Sequence, residues 1–158
     1  MSREMRRKDR LIPDERARGV IEKCEYGVFI TADKEGHPYG VALNHVLIED
    51  KIYFHCAHEG RKLDNIKENP NVSMTFVGRA EVLGEDYTTG YESVIIEGTA
   101  QMVTEKAEKK AILLAIGKRF SPFQDQEMDA YIDRFLEATA VGCINIEKIS
   151  GKANDKRR

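Results

Sequence analysis

Behind Pro13-Asp14, apolar residues recur at Ala17, Val20, Ile21 and Cys24. This is the i, i+3, i+4, i+7 spacing of one helix face, with Asp14 as N-cap and Gly27 as the stop. The pattern then turns β-like. Residues 28–32 read as a strand and 33–38 as a turn. Residues 39–49 and 51–57 read as two strands joined tightly at Glu49-Asp50, which predicts a β-hairpin. Residues 60–69 predict a short helix that carries Leu63 and Ile66 on one face and stops at Pro70; 72–77 is an apolar, β-rich run. A polar segment, 84–91, reads as a loop, and 93–103 is β-like again. Two helices follow, 105–120 behind Thr104 as N-cap and 127–137, separated at Ser121-Pro122. The second places Met128, Tyr131, Ile132, Phe135 and Leu136 at helical spacing, a stripe expected in the core. Residues 141–149, alternating Ile144 and Ile146 with Asn145 and Glu147, predict the last strand.

Six or seven strands joined by hairpins, with helices gathered at the ends, predict a mainly β fold: an antiparallel sheet closed into a small barrel with flanking helices. No Gly-x-Gly-x-x-Gly follows a strand, so Rossmann-type dinucleotide binding has no support. A chain of 158 residues and 18.0 kDa suits one domain, 1–158, with its core over about 12–150 and charged, solvated tails at 1–12 and 150–158. Apolar residues at 41%, charged residues at 33% and a net charge of −2 supply a core but not the electrostatics of a nucleic-acid binder. No apolar run approaches the roughly 18–20 residues that span a bilayer. The N-terminus is charged (Arg3, Glu4, Arg6, Arg7, Lys8) where a signal peptide needs an apolar stretch, so the expectation is a cytoplasmic protein without membrane partners. Cys24, Cys56 and Cys143 form no C-x-x-C pair and read as small buried hydrophobes rather than a disulfide framework or a zinc site.

The stretch from Ile52 to Ile66 carries the most chemistry: a strand, a glycine turn at Gly60 and a helix start at Arg61-Lys62. A helix N-terminus attracts anions, whereas basic residues in its first turn oppose the macrodipole by roughly 0.3–1 kcal/mol each. Arg61 and Lys62 therefore either face a bound anion such as a phosphate or point to water and pair with Asp64 and Glu59. In the hairpin, a turn at Glu49-Asp50 sets Asn44 or His45 opposite His55, depending on turn length. Such mid-strand polar groups need partners, which a planar heteroaromatic ligand could supply. His55 and Cys56 point to opposite faces of a strand and do not chelate together, so no metal is predicted. Hydrolase, metalloprotease and Walker-type sequences are lacking.

Five blocks in order carry a resemblance: Met5 to Arg10, Gly36 to Asn44, Lys51 to Ala57 with Gly60 to Leu63, Tyr91 to Ala100, and Ile149 to Lys152. The chain resembles the pyridoxamine 5′-phosphate oxidase-like FMN-binding split-barrel proteins, and within them the nitroimidazole-resistance-like branch. The resemblance implies a six-stranded antiparallel split barrel, a homodimer, and FMN in two grooves between the subunits. It implies cofactor contacts from Val41, Ala42, Leu43, Asn44 and His45 on one strand, and from His55, Cys56 and Ala57 on its neighbour. Arg61 and Lys62 match the phosphate-binding pair, and Ser93 stands where many relatives use glutamine. Lys152 matches a region that reaches the partner's flavin. His55 matches the residue proposed to act beside the flavin, which implies an FMN-dependent oxidoreductase on a small planar substrate. The oxidase proper uses a C-terminal tryptophan and arginine, and this chain has no tryptophan. Pyridoxamine-phosphate oxidation is therefore not expected. A non-catalytic flavin carrier, or a split barrel that holds haem or a deazaflavin, is the alternative.

Overall fold

The chain between Pro38 and Ile48 forms both edges of one sheet, and this is what closes the barrel. A computed structural model describes residues 4–121 and 125–156. The helices are α1 (Asp14–Lys23), α2 (Arg61–Glu68), α3 (Lys106–Phe120) and α4 (Asp125–Phe135). The strands are β1 (Tyr26–Ala32), β2 (Pro38–Asn44), β3 (Val46–Ile48), β4 (Lys51–Cys56), β5 (Asn71–Leu83), β6 (Thr88–Met102) and β7 (Ala140–Asn154). They lie in the order β2-β1-β5-β6-β7-β4-β3, every neighbouring pair antiparallel. β2 pairs with β1 at one end of this order and β3 with β4 at the other, yet only His45 separates them in sequence. The fold is the mainly β barrel with flanking helices that the pattern predicts, and the split barrel that the resemblance implies. It has seven strands rather than six, because the strand expected over 39–49 changes partners at His45.

The barrel interior is filled by Phe29, Ile52, Phe54, Met74, Phe76, Val94, Ile96 and Ile144, all fully buried, with α1 contributing Ala17, Val20 and Ile21. A second cluster forms outside β4 and β7, where Ile112 and Ile116 of α3 cover Tyr53, Val141 and Cys143. α4 and the turn that follows it then pack Met128, Ile132 and Leu136 on Leu113 and Leu114 of α3. α3 is apolar on two sides because it is clamped between barrel and helix. The three cysteines are free; Cys24 and Cys143 are buried and Cys56 is half-buried.

Several boundaries differ from the sequence reading. Asp14 is the first helical residue of α1, not its cap, and the helix stops at Lys23, where the Cys24 N–H bonds the Val20 carbonyl. Gly27 is a strand residue, and a Cβ there would sit 2.5 Å from the Phe76 ring, so packing excludes any side chain. The polar loop is only four residues long, because Leu83 already pairs with Thr88 and the β5–β6 hairpin runs on into solvent. Glu105, not Thr104, precedes α3. The break expected at Ser121-Pro122 falls partly outside the described residues, since Pro122 is not among them.

Residues 10–12 and 150–155, expected to be free solvated tails, are tied to the barrel, although several of their side chains stay exposed. β7 runs to Asn154, paired with Tyr91. Leu11 bridges Lys152 on the free edge of β7, and the buried Ile12 donates its N–H to the Gly151 carbonyl at 3.1 Å. Arg16 ties the two ends together by pairing with both Glu92 and Asp155. The second of these pairs makes Asp155 a partner of α1 rather than part of a free tail.

Candidate functional site

Strand alternation decides which expected site residues share a face. On β4, Ile52 and Phe54 fill the barrel, while Tyr53 and His55 face out. α3 covers Tyr53 but leaves His55 exposed. The β3–β4 register is Val46 with Tyr53, Leu47 with Ile52 and Ile48 with Lys51, which directs Asn44 rather than His45 toward His55. Both Asn44 and His55 line a cleft of about 830 Å³ under α3 and α4. Asn44 is braced by donating its side-chain N–H to the Glu25 carbonyl at 2.7 Å.

His45 turns the other way and is completely buried. Its Nε2–H donates to the Ile21 carbonyl at 2.8 Å, and its ring packs on Phe76 with centroids 4.7 Å apart. Nδ1 has no partner. Burial pushes the His45 pKa down to about 4; the Ile21 bond opposes that shift and the Arg119 charge adds to it. The imidazole is therefore a neutral core group, and the ligand contact expected of its side chain is replaced by packing. Val41, Leu43 and Cys56 also turn toward the barrel core, whereas Ala42 and Ala57 are exposed. Burial raises the Cys56 thiol, while the nearby Lys62 charge pulls it back.

The turn into α2 pivots on Gly60, whose φ of +136° only glycine adopts readily. Gly60 has no side chain to cap the helix; its carbonyl takes the Leu63 and Asp64 N–H groups, so those of Arg61 and Lys62 are left for water or a ligand. Arg61 and Lys62 sit on that turn. Among the described residues neither has a carboxylate within ion-pair distance, and Asp64 reaches Lys67 instead, at 3.9 Å. The Arg61 guanidinium lies 5.1 Å from the Tyr39 ring centroid, which steers it along β2. Uncapped amides and two unpaired cations are the donor set that a phosphate monoester requires.

Ser93 and Lys152 face each other across β6 and β7. They are remote from His55, which pairs with Val141: the separation is on the order of 30 Å along β7. Lys152 and Arg10 both lie over the Tyr91 ring, at 5.5 and 5.7 Å. One chain thus gathers Asn44 and His55 at the cleft and Arg61 and Lys62 at α2, but leaves Ser93 and Lys152 far from His55.

Three features escaped the sequence reading. Tyr39 under Arg61 is the first. Arg119 is the second: it donates to the His45, Glu22 and Cys24 carbonyls at 2.8, 2.7 and 2.6 Å, pinning α3 to the barrel seam. The third is the cleft itself. Tyr131 and Phe135, expected in the core, are 66% and 39% exposed and line the cleft, because α4 buries the Met128, Ile132, Leu136 stripe instead. Their spacing places them on an adjacent helix face, the one signal that could have separated them.

The family model described as Pyridoxamine 5′-phosphate oxidase matches residues 13–149. The chain belongs to the pyridoxamine 5′-phosphate oxidase family. Among solved structures, this family member is similar to a proposed 5-nitroimidazole antibiotic resistance protein from Bacteroides thetaiotaomicron, with a TM-score of 0.76 and 23% identity over 90% of this chain and 85% of that one. It is similar to the flavocytochrome Anf3 from Azotobacter vinelandii, with a TM-score of 0.81 and 17% identity over 97% and 73%. A FAD- and haem-binding protein from Mycobacterium smegmatis aligns with a TM-score of 0.79 and 19% identity over 91% and 72%. No curated protein matches the sequence. Among the described residues, no helix of this family member is long and apolar enough to cross a membrane.

Proposed function

We propose that the chain is an FMN-binding oxidoreductase that works as a homodimer with flavin held between the barrels. The observation that carries this reading is the pair Arg61 and Lys62, unpaired with any carboxylate among the described residues at the uncapped start of α2. Membership of the family and the flavin and FAD named for its structural relatives support it. FMN, when bound, supplies reversible hydride acceptance. Arg61 and Lys62 then neutralise a phosphate, Tyr39 holds Arg61 in place, and the backbone of β2 and β4 borders the ring system. His55, outward and exposed beside Asn44, orients a substrate or moves a proton to it. The homodimer is supported by a row of side chains that no helix covers, Ala42, Val28, Thr75 and Ile95, across β2, β1, β5 and β6. Val28 and Ile95 are exposed there, and Val77 is nearby. A two-fold partner on this face is also what would carry Ser93 and Lys152 to a second groove.

The purified protein should be yellow and elute at the dimer mass. Replacing both Arg61 and Lys62 by alanine should weaken FMN binding at least tenfold, about 1.4 kcal/mol. Equilibrium titration with FMN checks this, and an unchanged affinity removes the phosphate assignment. His55→Ala should leave FMN affinity within about threefold while slowing reoxidation of the reduced protein by a nitroaromatic acceptor by roughly 10²-fold. Stopped-flow absorbance measures the second quantity directly. If neither NADH nor NADPH reduces the bound flavin, the protein is a carrier rather than an enzyme. A haem reading has one specific support, the haem named for relatives of the same fold. If haem were bound, the exposed His55 would be the histidine to hold its iron, since the His45 ring is buried, the His58 Nε2 is engaged by the Glu137 carbonyl at 2.9 Å and the His37 ring is paired with Asp33 at 3.0 Å. A Soret band in place of flavin absorbance would select it.

A further inference from the structure

The cleft beside His55 has a chemistry of its own. Its far wall is apolar and aromatic, with Phe120 from α3 and Met128, Tyr131 and Phe135 from α4. The Tyr131 and Phe135 rings are tilted against each other at 4.8 Å, and both are exposed to solvent. Neither is needed to hold α4, which is anchored by the buried Met128, Ile132 and Leu136. The barrel side offers two polar groups, His55 and Asn44. Among the described residues, no lysine or arginine lines the cleft, and the one carboxyl side chain is Glu127. Arg119, against Phe120, is occupied by three backbone carbonyls, and Arg134 lies against the Phe135 ring outside the lining. The volume of about 830 Å³ is within the range of small-molecule sites.

We infer that the α3–α4 cleft binds an unphosphorylated aromatic molecule, neutral or cationic, with its ring between Tyr131, Phe135 and Phe120 and its polar end toward His55 and Asn44. Aromatic walls favour a flat π-system by offset or edge-to-face contact. Among the described lining residues an anion finds no lysine or arginine and meets the Glu127 carboxylate, so a phosphate or carboxylate is disfavoured here while an ammonium beside Glu127 is not. The cations and the aromatic walls are thus on different surfaces: α2 takes the anion, the cleft takes the ring. That the occupant is the substrate rests on the flavin reading above; that it binds does not.

A matched pair of probes tests the inference on the full-length protein, with and without added FMN. 1-Naphthylmethylamine and 1-naphthoate share a ring and differ in charge, and equilibrium dialysis measures the binding of each. The amine should bind at least tenfold more tightly than the carboxylate. Glu127→Gln should reduce that preference to within about threefold, and Tyr131→Ser should weaken both probes. Ala138→Trp, at an exposed position on the rim, should block both while leaving FMN affinity unchanged. Equal affinity for the two probes, preference for the carboxylate, or no binding of either overturns the inference. So does a loss of FMN affinity in Ala138→Trp, which would assign the cleft to the flavin instead. Absence of FMN binding with the probe pattern intact would overturn the flavin reading alone.

Discussion

Arg119→Ala is expected to destabilise the protein by roughly 3 kcal/mol and to loosen the cleft at the same time. A hydrogen bond from a charged donor contributes about 1.5–3 kcal/mol, and this guanidinium makes three, one to the seam residue His45 and two to the end of α1. Water recovers part of the loss because the Glu22 carbonyl lies at the surface, so the sum is discounted. Burial pulls the Arg119 pKa down, yet a guanidinium stays charged at physiological pH. Its positive charge also suits the negative end of α1. Arg119→Lys should recover less than half, because one ammonium cannot span three carbonyls in the geometry of a planar fork. Urea denaturation gives the stability change, and a loss under about 1 kcal/mol would show that the seam is held by packing alone. Since Ile116, Gly117 and Phe120 on the same helix line the cleft, naphthylmethylamine affinity should fall in the alanine variant even where the protein remains folded.

The legible parts of this fold are those fixed by local pattern. The Glu49-Asp50 turn, the Gly60 pivot and the alternation around Ile144 depend on neighbours a few residues away, and they stand where the pattern puts them. His45 is different. Nothing in 39–49 marks a change of partner, because the break exists only once the sheet has curled far enough for its two edges to meet. The extension of β7 to Asn154 was illegible for a related reason. Ser150, Lys152 and Asn154 look like a solvated tail until Arg16, Leu11 and Ile12 arrive from the other end of the chain.

At the site, charge was a better guide than hydrophobicity. Two cations opposing a helix dipole are anomalous in one dimension and remain so in three, since neither Asp64 nor Glu59 pairs with them. Aromatic residues on α4 gave the opposite result: Tyr131 and Phe135 lie one helix face away from Met128 and Ile132, and that offset alone does not tell whether the second face meets a helix or a ligand. Sequence spacing also could not choose between Asn44 and His45 as the neighbour of His55. Register chose Asn44, and the histidine went to the core.

That buried histidine makes stability fall on mild acidification. With a native pKa near 4 and an ordinary value of 6.5, His45 is neutral in both states above pH 6.5 and contributes nothing to the pH dependence there. Between 6.5 and 4 the unfolded chain takes up a proton that the native seam refuses, so stability drops by up to about 1.4 kcal/mol per pH unit, roughly 3 kcal/mol in all. Below 4 the native state protonates too and this contribution levels off. The carboxyl groups lowered by partners act in a more acidic window: Asp9 is held near 2 by Arg7, and Asp33 and Glu137 are depressed by His37 and Lys106. Urea midpoints at pH 7, 6, 5 and 4.5 should therefore decline steadily in the native protein and stay nearly level in His45→Phe, which keeps the ring contact with Phe76 but cannot titrate. A native protein equally stable at pH 7 and 4.5, or an undiminished decline in the variant, would place the titrating group elsewhere. Because the Arg119 charge opposes protonation of the same ring, Arg119→Ala should shift the decline toward lower stability overall but make it shallower, so the two residues act as one coupled seam.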